Sequence, residues 1–196
     1  MIGVKIGIFG GTFNPPHKGH RLLLDRVVEK AGLDRVIVIP SYMPPHKTVA
    51  DNDPTHRFEM ARLAFPDHEV SNIELERKGK SYTVDTLRQL QEQYPTDVLH
   101  LICGSDMFLS LGTWREPASI FAMATIVTAA REKHVLLKLW LKKVFYFFKY
   151  RARCRVIFIK PLAVSSSEIR DGSVQGNMVE PAVWQYMQEH QLYHEE

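Results

Sequence analysis

The chain has 196 residues, of which 45% are hydrophobic and 24% are charged, with a net charge of +3. This length allows one domain with a substantial core and no stabilising disulfides, so residues 1–196 are predicted to form a single domain. The mild positive charge suits anionic small molecules but falls far short of the clustered basic stretch of a nucleic-acid binder.

The cysteines and the first residues indicate the compartment. Cys103 and Cys154 have no metal-type spacing, and Cys103 lies in an apolar run that favours a buried free thiol. The sequence begins almost directly with a strand pattern, which leaves no room for a secretory signal. We therefore expect a cytoplasmic location.

Apolar runs of strand length alternate with segments of helical periodicity along the chain. This alternation predicts a Rossmann-like, doubly wound α/β fold with a mainly parallel sheet. The predicted strands are Val4–Phe9, Arg35–Ile39, Val70–Leu75, Val98–Cys103, Thr125–Ala129 and Arg155–Ile159. The predicted helices are Leu22–Ala31 with a stop at Gly32, Arg57–Phe65 with a cap at Asp53 and Pro54, Val84–Tyr94, Glu116–Ala122, Val135–Tyr150 and Pro181–Gln191.

The segment His134–Arg153 is rich in leucine and aromatic residues but is punctuated by lysines. It is too charged to span a bilayer comfortably, so no membrane span is predicted. Its apolar surface is broader than one side of a surface helix needs, which favours burial together with a contact between subunits. We therefore expect a homo-oligomer through Val135–Tyr150. Attachment to a membrane surface by a basic amphipathic helix is the alternative.

The stretch Gly10–His20, with the sequence GGTFNPPHKGH, follows the first predicted strand and opens a helix. Two glycines let the backbone approach a ligand, and a helix start presents unpaired N–H groups. His17 and His20 add imidazole donors at the same place. A metal pair is the weaker interpretation, because no Cys, Asp or Glu lies nearby to complete a zinc site. This stretch therefore predicts a phosphate site without a protein-held metal.

Polar or glycine-containing segments follow several predicted strands. In open parallel sheets, ligands bind beyond the carboxyl ends of the strands, so these segments predict a ligand-binding edge. They are Gly10-Gly11, Ser41–Lys47, Gly104–Asp106, Arg131 and Ser165–Arg170.

Gly10–His20 resembles the signature of the HxGH nucleotidyltransferase superfamily. Four further stretches resemble bacterial nicotinate-nucleotide adenylyltransferases: Pro44–Lys47, Gly79–Thr83, Gly104–Asp106 with Thr113-Trp114, and Val164–Arg170. The resemblance implies an enzyme that joins Mg²⁺-bound ATP to nicotinate mononucleotide, giving nicotinate adenine dinucleotide and pyrophosphate in NAD biosynthesis. Two alternatives stay open: nicotinamide mononucleotide or phosphopantetheine as the acceptor, and a catalytically silent nucleotide-binding protein.

The resemblance also implies roles for individual residues. Catalytic roles fall on His17, His20, Lys47 and Arg170, which would stabilise negative charge on the triphosphate. ATP binding is implied for Gly10, Gly11, Thr12, Phe13, His17, His20, Gly104, Asp106, Ser165, Ser166, Ser167 and Arg170. Acceptor binding is implied for Lys47, Tyr82, Thr83, Trp114 and Arg131. Thr83 and Asp106 have an alternative reading as helix caps, and Ser165–Ser167 as an ordinary helix start.

Overall fold

A six-stranded sheet with helices is the architecture of this chain. The computed structural model describes residues 3–45, 53–130, 133–160, 162, 164–173 and 176–193. The strands are β1 (Lys5–Gly11), β2 (Arg35–Pro40), β3 (Glu69–Val70), β4 (Val98–Gly104), β5 (Ala124–Ala130) and β6 (Cys154–Phe158). The helices are α1 (Lys18–Ala31), α2 (Pro54–Ala64), α3 (Ile73–Arg77), α4 (Thr83–Gln93), α5 (Ser105–Ser110), α6 (Pro117–Met123), α7 (Leu136–Tyr150), α8 (Ser166–Arg170) and α9 (Pro181–Glu189).

The strands follow the order β3-β2-β1-β4-β5-β6. The pairs β1–β4, β4–β5 and β5–β6 are parallel, with Phe9 beside Ile102 and Ile102 beside Val127. Every residue of β5 is buried, as expected for a central strand of a parallel sheet that is covered on both faces. The strand order reverses between β1 and β4, which makes this a doubly wound sheet and confirms the predicted fold class.

The predicted strand Val70–Leu75 is wrong beyond its first residue. The Ser71 N–H donates to the Val38 carbonyl at 2.9 Å, and the extended pairing ends there. The Ser71 hydroxyl then accepts the Ile73 N–H at 3.3 Å, which favours a turn into α3. Most of the predicted strand is therefore helical, because the Ser71 hydroxyl gives the Ile73 N–H a partner outside the sheet.

Two helix boundaries agree with the sequence prediction. Asp53 caps α2 by accepting the Thr55 N–H at 2.8 Å, and Pro54 occupies the first helical position. Gly32 follows α1 with a φ of +61°, a conformation that glycine adopts without strain. Both signals depend only on residues within one turn of the helix end.

The chain divides into two compact units. Unit 1 comprises Met1–Phe9, Asp25–Ile37 and Tyr82–Pro161, and unit 2 comprises Gly10–Leu24, Val38–Ser81 and Leu162–Glu196. Unit 1 contains α4 to α7 and strands β4 to β6. Unit 2 contains the chain between β1 and α1, together with α2, α3, α8 and α9.

Helix α7 is anchored to unit 1 by a narrow stripe of side chains. Leu139 and Tyr146 are fully buried, and the Tyr146 hydroxyl donates to the Phe108 carbonyl while it accepts the Gly112 N–H, both at 2.9 Å. The predicted burial of this segment holds for that inner stripe alone, because other large apolar side chains stay exposed. They are Leu137, Trp140, Leu141, Phe145, Phe147 and Phe148.

Within the described residues, no helix has the length and apolar character needed to cross a membrane.

We expect Tyr146→Phe to lower the free energy of unfolding by about 1–3 kcal/mol, because the Gly112 N–H and the Phe108 carbonyl lose a buried partner. Tyr94→Phe is the matched control, since the Tyr94 hydroxyl accepts from Arg35 at an exposed site. The control should change stability by no more than about 0.5 kcal/mol. Urea unfolding measures both variants, and equal losses would contradict the assignment.

Candidate active site

His17 and His20 satisfy each other's backbone groups at the start of α1. The His20 N–H donates to His17 Nδ1 at 3.3 Å, and the His17 N–H donates to His20 Nδ1 at 3.2 Å. This is the reciprocal pattern of a capping box, with imidazole nitrogens in place of a hydroxyl and a carboxylate. The two rings also stack, with centroids 3.7 Å apart and planes 26° apart. The three-residue spacing of the two histidines is therefore the spacing that a helix start requires.

The same hydrogen bonds determine the tautomer of both rings. A neutral imidazole has one N–H donor and one acceptor nitrogen. Because Nδ1 of His17 and of His20 accepts a backbone N–H, the ring proton of each lies on Nε2. Both imidazoles are thus prepared as Nε2–H donors, which suits an anionic ligand.

Gly19 is required between the histidines. A Cβ at this position would lie 2.9 Å from Val164 Cγ1 and 3.0 Å from His17 Nδ1. Any other residue would therefore require the Val164 side chain or the His17 ring to shift. The absence of a side chain at Gly19 therefore leaves room for the His17 ring.

Phe13 supports the site from within the core of unit 2. Its side chain is 2% exposed, and its ring centroid lies 5.5 Å from that of Phe65 and 5.4 Å from that of His20. A Cβ on Gly11 would lie 2.7 Å from the Phe13 ring, whereas a Cβ on Gly10 would meet nothing within 4 Å. Any ligand contact of Phe13 would therefore run through its backbone.

Helix α8 is tied to the loop before His17. The Ser166 hydroxyl donates to the Pro15 carbonyl at 2.8 Å, and the Arg170 guanidinium donates to the Asn14 carbonyl at 2.6 Å. The Tyr193 hydroxyl donates to Asn14 Oδ1 at 2.5 Å. The structure therefore brings the serine-rich motif and the histidine motif together, although the two lie about 150 residues apart in the sequence.

The serines of this motif also form an ordinary helix start. Ser165 caps α8 in a capping box with Glu168, in which the Glu168 carboxylate accepts the Ser165 N–H at 2.8 Å. The Ser167 hydroxyl accepts from Arg170 at 3.2 Å. Their hydroxyls thus hold the helix and its arginine in place.

Arg57 is a central residue of unit 2 that the sequence analysis missed. It is 1% exposed and donates to the carbonyls of Thr12 at 3.0 Å, Ser41 at 2.5 Å and Tyr42 at 2.8 Å. Burial lowers the pKa of the Arg57 guanidinium below its ordinary value. A signal was present, because Arg57 shares the buried face of α2 with the apolar residues Met60, Ala61 and Ala64.

In unit 1, the alternative interpretation of Asp106 and Thr83 as helix caps is wrong. The cap position of α5 is Gly104, and Asp106 lies exposed in the first turn. The cap position of α4 is Tyr82, and Thr83 is the first helical residue. Neither cap residue makes a side-chain hydrogen bond to the helix, so no side-chain hydroxyl or carboxylate fixes where these two helices begin.

A second group of predicted site residues lies in unit 1 around Arg115. The Arg115 guanidinium lies 4.7 Å from the centroid of the Tyr82 ring and 3.5 Å from a carboxylate oxygen of Asp85. Trp114, directly before it, is half-buried and donates from Nε1 to the Ser110 hydroxyl at 3.4 Å. Arg115 thus fills one ring face of Tyr82, a contact that the sequence analysis did not foresee.

Two predicted site residues, Lys47 and Arg131, lie outside the described residues. Among the described ranges, no three His, Cys, Asp or Glu side chains cluster as a metal site would require.

We expect Arg57→Met to lower the free energy of unfolding by about 3 kcal/mol or more, because one buried and two part-buried carbonyls lose a charged donor. Arg62→Met is the matched control on the same helix, where the exposed Arg62 pairs with Glu59 at 3.2 Å. That pair is worth no more than about 1 kcal/mol. Urea unfolding compares the variants, and a loss in the control as large as in Arg57→Met would refute the role of Arg57.

The ring tautomers can be read directly by ¹⁵N NMR of the imidazoles. At about pH 8, His17 and His20 should show the Nε2–H form, because Nδ1 of each ring accepts a backbone N–H. His100 is the internal control: its Nδ1 lies 3.0 Å from the Val98 carbonyl, which can only accept, so it should show the Nδ1–H form. Burial lowers the pKa of His100, which keeps this ring neutral. An Nδ1–H form at His17 or His20 would contradict the reciprocal cap.

The chain resembles known proteins over nearly its whole length. A family model described as cytidylyltransferase-like matches residues 8–172. The relative from Carboxydothermus hydrogenoformans is 37% identical over 98% of this chain and 100% of its own length. The relative from Geobacter sulfurreducens is 38% identical over 97% of this chain and 98% of its own length. Both carry the name "Probable nicotinate-nucleotide adenylyltransferase".

A solved structure supports the fold. The nicotinic acid mononucleotide adenylyltransferase of Plasmodium falciparum, complexed with NaAD, matches with a TM-score of 0.73 and covers 97% of both chains. At 19% identity this likeness concerns the fold alone. The sequence relatives carry the family assignment. The chain belongs to the cytidylyltransferase-like family and, within it, to the nicotinate-nucleotide adenylyltransferases.

Proposed function

We propose that this chain transfers AMP from ATP to nicotinate mononucleotide, giving nicotinate adenine dinucleotide and pyrophosphate in NAD biosynthesis. The observation that carries the proposal is the pair of Nε2–H donors on His17 and His20, on the same loop that holds Arg170. The names of the full-length relatives support the choice of acceptor.

The histidines and Arg170 act on the triphosphate. As the bond between the α-phosphorus and its bridging oxygen breaks, negative charge moves to the departing pyrophosphate. Nε2–H donors that are already oriented stabilise this charge without reorganising. Arg170 adds a permanent positive charge, and Lys47 is proposed to do the same.

The acceptor needs no general base. Its phosphate is already ionised near neutral pH, so an oxygen of that phosphate attacks the α-phosphorus of ATP in line. One P–O bond forms while another breaks, and no covalent enzyme intermediate is required. Mg²⁺ enters as part of the ATP substrate, held by the phosphates, where it neutralises charge.

The remaining ATP contacts are proposed to involve backbone as much as side chains. Gly10 leaves open space where a Cβ would stand, which suits a close approach of phosphate. Ser165 caps the short helix α8, which contains Ser166, Ser167 and Arg170, and these four residues are proposed to contact the ATP phosphates. The other proposed ATP-binding residues are Gly11, Thr12, Phe13, Gly104 and Asp106.

The acceptor ring is proposed to bind through unit 1. The half-buried Trp114 offers a face to the pyridine ring, an interaction worth about 1–3 kcal/mol by analogy with base stacking. Tyr82 and Thr83 stand at the start of α4, and one face of Tyr82 is covered by Arg115. Arg131 completes the proposed acceptor set.

Three further predictions belong to this proposal. Residues 1–196 act as one nucleotidyltransferase domain, as the coverage of the relatives supports. The cytoplasm is the proposed compartment, which the two free, buried cysteines Cys103 and Cys154 support, because a reducing compartment keeps thiols unpaired. The third, a homo-oligomer through Val135–Tyr150, is the alternative to the lipid contact that is proposed below for the same face of α7.

Pyrophosphate release from Mg-ATP tests the function, with nicotinate mononucleotide, nicotinamide mononucleotide and phosphopantetheine offered separately at equal concentration. We expect a strong preference for the first. His20→Ala should lower turnover on the order of 10²–10³-fold, because a preorganised donor is lost. The control His134→Ala, at an exposed position, should keep its turnover.

Each outcome of this assay has a defined meaning. Preference for another acceptor would contradict the proposed acceptor but would leave the proposed mechanism of AMP transfer unchanged. Near-normal turnover in His20→Ala would refute the role of that ring. Tight ATP binding with no pyrophosphate release from any acceptor would favour a silent nucleotide-binding protein.

A further inference from the structure

The positive charge of this chain is concentrated in the segment that contains α7. Nine of its 25 lysines and arginines lie between Lys133 and Lys160, and none of its 22 aspartates and glutamates does. The remaining chain carries 16 basic and 22 acidic residues and is net negative. The whole-chain charge of +3 conceals this separation.

The outward face of α7 is apolar. Leu139 and Tyr146 point into unit 1, whereas Leu137, Leu141 and Phe148 are 66%, 55% and 73% exposed. At about 100° per residue, these three lie within about 20° of the direction opposite to Leu139. The face is widened on both sides by further exposed side chains, Trp140, Phe145 and Phe147.

Lysines border this face along one side. At about 100° per residue, Lys138, Lys142 and Lys149 lie between the apolar face and the buried stripe. Lys142 Nζ lies 5.2 Å and Lys149 Nζ 5.5 Å from the centroid of the Phe145 ring. Long lysine side chains in this position can keep their ammonium groups in a polar environment when the apolar face beside them becomes buried.

We propose that α7 binds the surface of an anionic lipid bilayer, lying parallel to it with the apolar face among the acyl chains and the lysines at the headgroups. A helix of 15 residues is about 22 Å long, which is too short to span a hydrocarbon core of about 30 Å but suits an interfacial position. An apolar stripe with aromatic residues and flanking lysines is the pattern of interfacial helices.

Charge complementarity favours lipid over the other candidate partners. A symmetric contact between two copies would bring the same lysine row towards its own copy, and α7 contains no acidic residue to offset it. A nucleic acid would need cations at the centre of the face, where Leu137, Leu141 and Phe148 stand. An anionic bilayer matches both features, because its acyl chains accept the apolar centre and its negative headgroups attract the bordering lysines.

Flotation with lipid vesicles tests the proposal on the full chain. We expect binding to vesicles of equal parts phosphatidylglycerol and phosphatidylcholine, and little binding to phosphatidylcholine alone. Binding should weaken when ionic strength rises from about 0.1 M to about 1 M, which shortens the screening length from about 10 Å to about 3 Å. The tryptophan fluorescence of the chain, to which Trp114 and Trp184 also contribute, should shift to the blue with the anionic vesicles, because the Trp140 indole leaves water.

Paired variants distinguish lipid binding through the α7 face from nonspecific binding through other exposed apolar residues. The double variant Trp140→Ser, Phe148→Ser should weaken vesicle binding by about tenfold or more, since two exposed apolar side chains no longer enter the lipid. Trp184→Ser on α9, where Trp184 is 39% exposed, is the matched control and should bind normally. Both proteins should release pyrophosphate at the parental rate without vesicles, which shows that they fold.

Three results would overturn the proposal. The first is the absence of binding to anionic vesicles, and the second is an equal loss of binding in the Trp184→Ser control. The third is a stable dimer, measured by sedimentation without lipid, that the double variant dissociates. That result would assign the face to contact between copies of the chain.

Discussion

A buried arginine holds the loops on which unit 2 depends. Arg57 donates to the carbonyls of Thr12, after β1, and of Ser41, after β2, so the two segments keep a fixed separation. Burial removes water from the guanidinium and lowers its pKa, and the carbonyl oxygens replace the lost hydrogen bonds of its two terminal nitrogens, whereas Nε is left without a partner among the described residues. Because carbonyls carry no formal charge, Arg57 remains a positive group attached to the loop that leads to His17.

The histidine pair uses the same atoms for structure and for the proposed chemistry. The Nδ1 atoms of His17 and His20 satisfy backbone N–H groups at the start of α1, and this leaves the proton of each ring on Nε2. A ring that caps a helix cannot rotate freely, so its donor is oriented before any ligand arrives. Gly19 permits the arrangement by leaving space beside the His17 ring.

Local sequence predicted those features that depend on a few neighbouring residues. The cap of α2 at Asp53 and the end of α1 at Gly32 follow from side chains and φ preferences within one turn. The parallel sheet followed from apolar runs separated by helical periodicity. The strand predicted at Val70–Leu75 was wrong because the same apolar residues fit a helix once Ser71 ends the pairing.

The sequence by itself determined the fold class, the family and the motif of the histidine loop, because each is encoded in contiguous residues. Only the tertiary structure decided the partners of buried polar groups, since these come from distant segments: Arg57 meets Thr12, and Arg170 meets Asn14. It also decided which side of α7 faces the protein. Periodicity showed that the helix was apolar on most sides, but only the packing of Tyr146 against Phe108 selected the buried stripe and left the opposite face exposed.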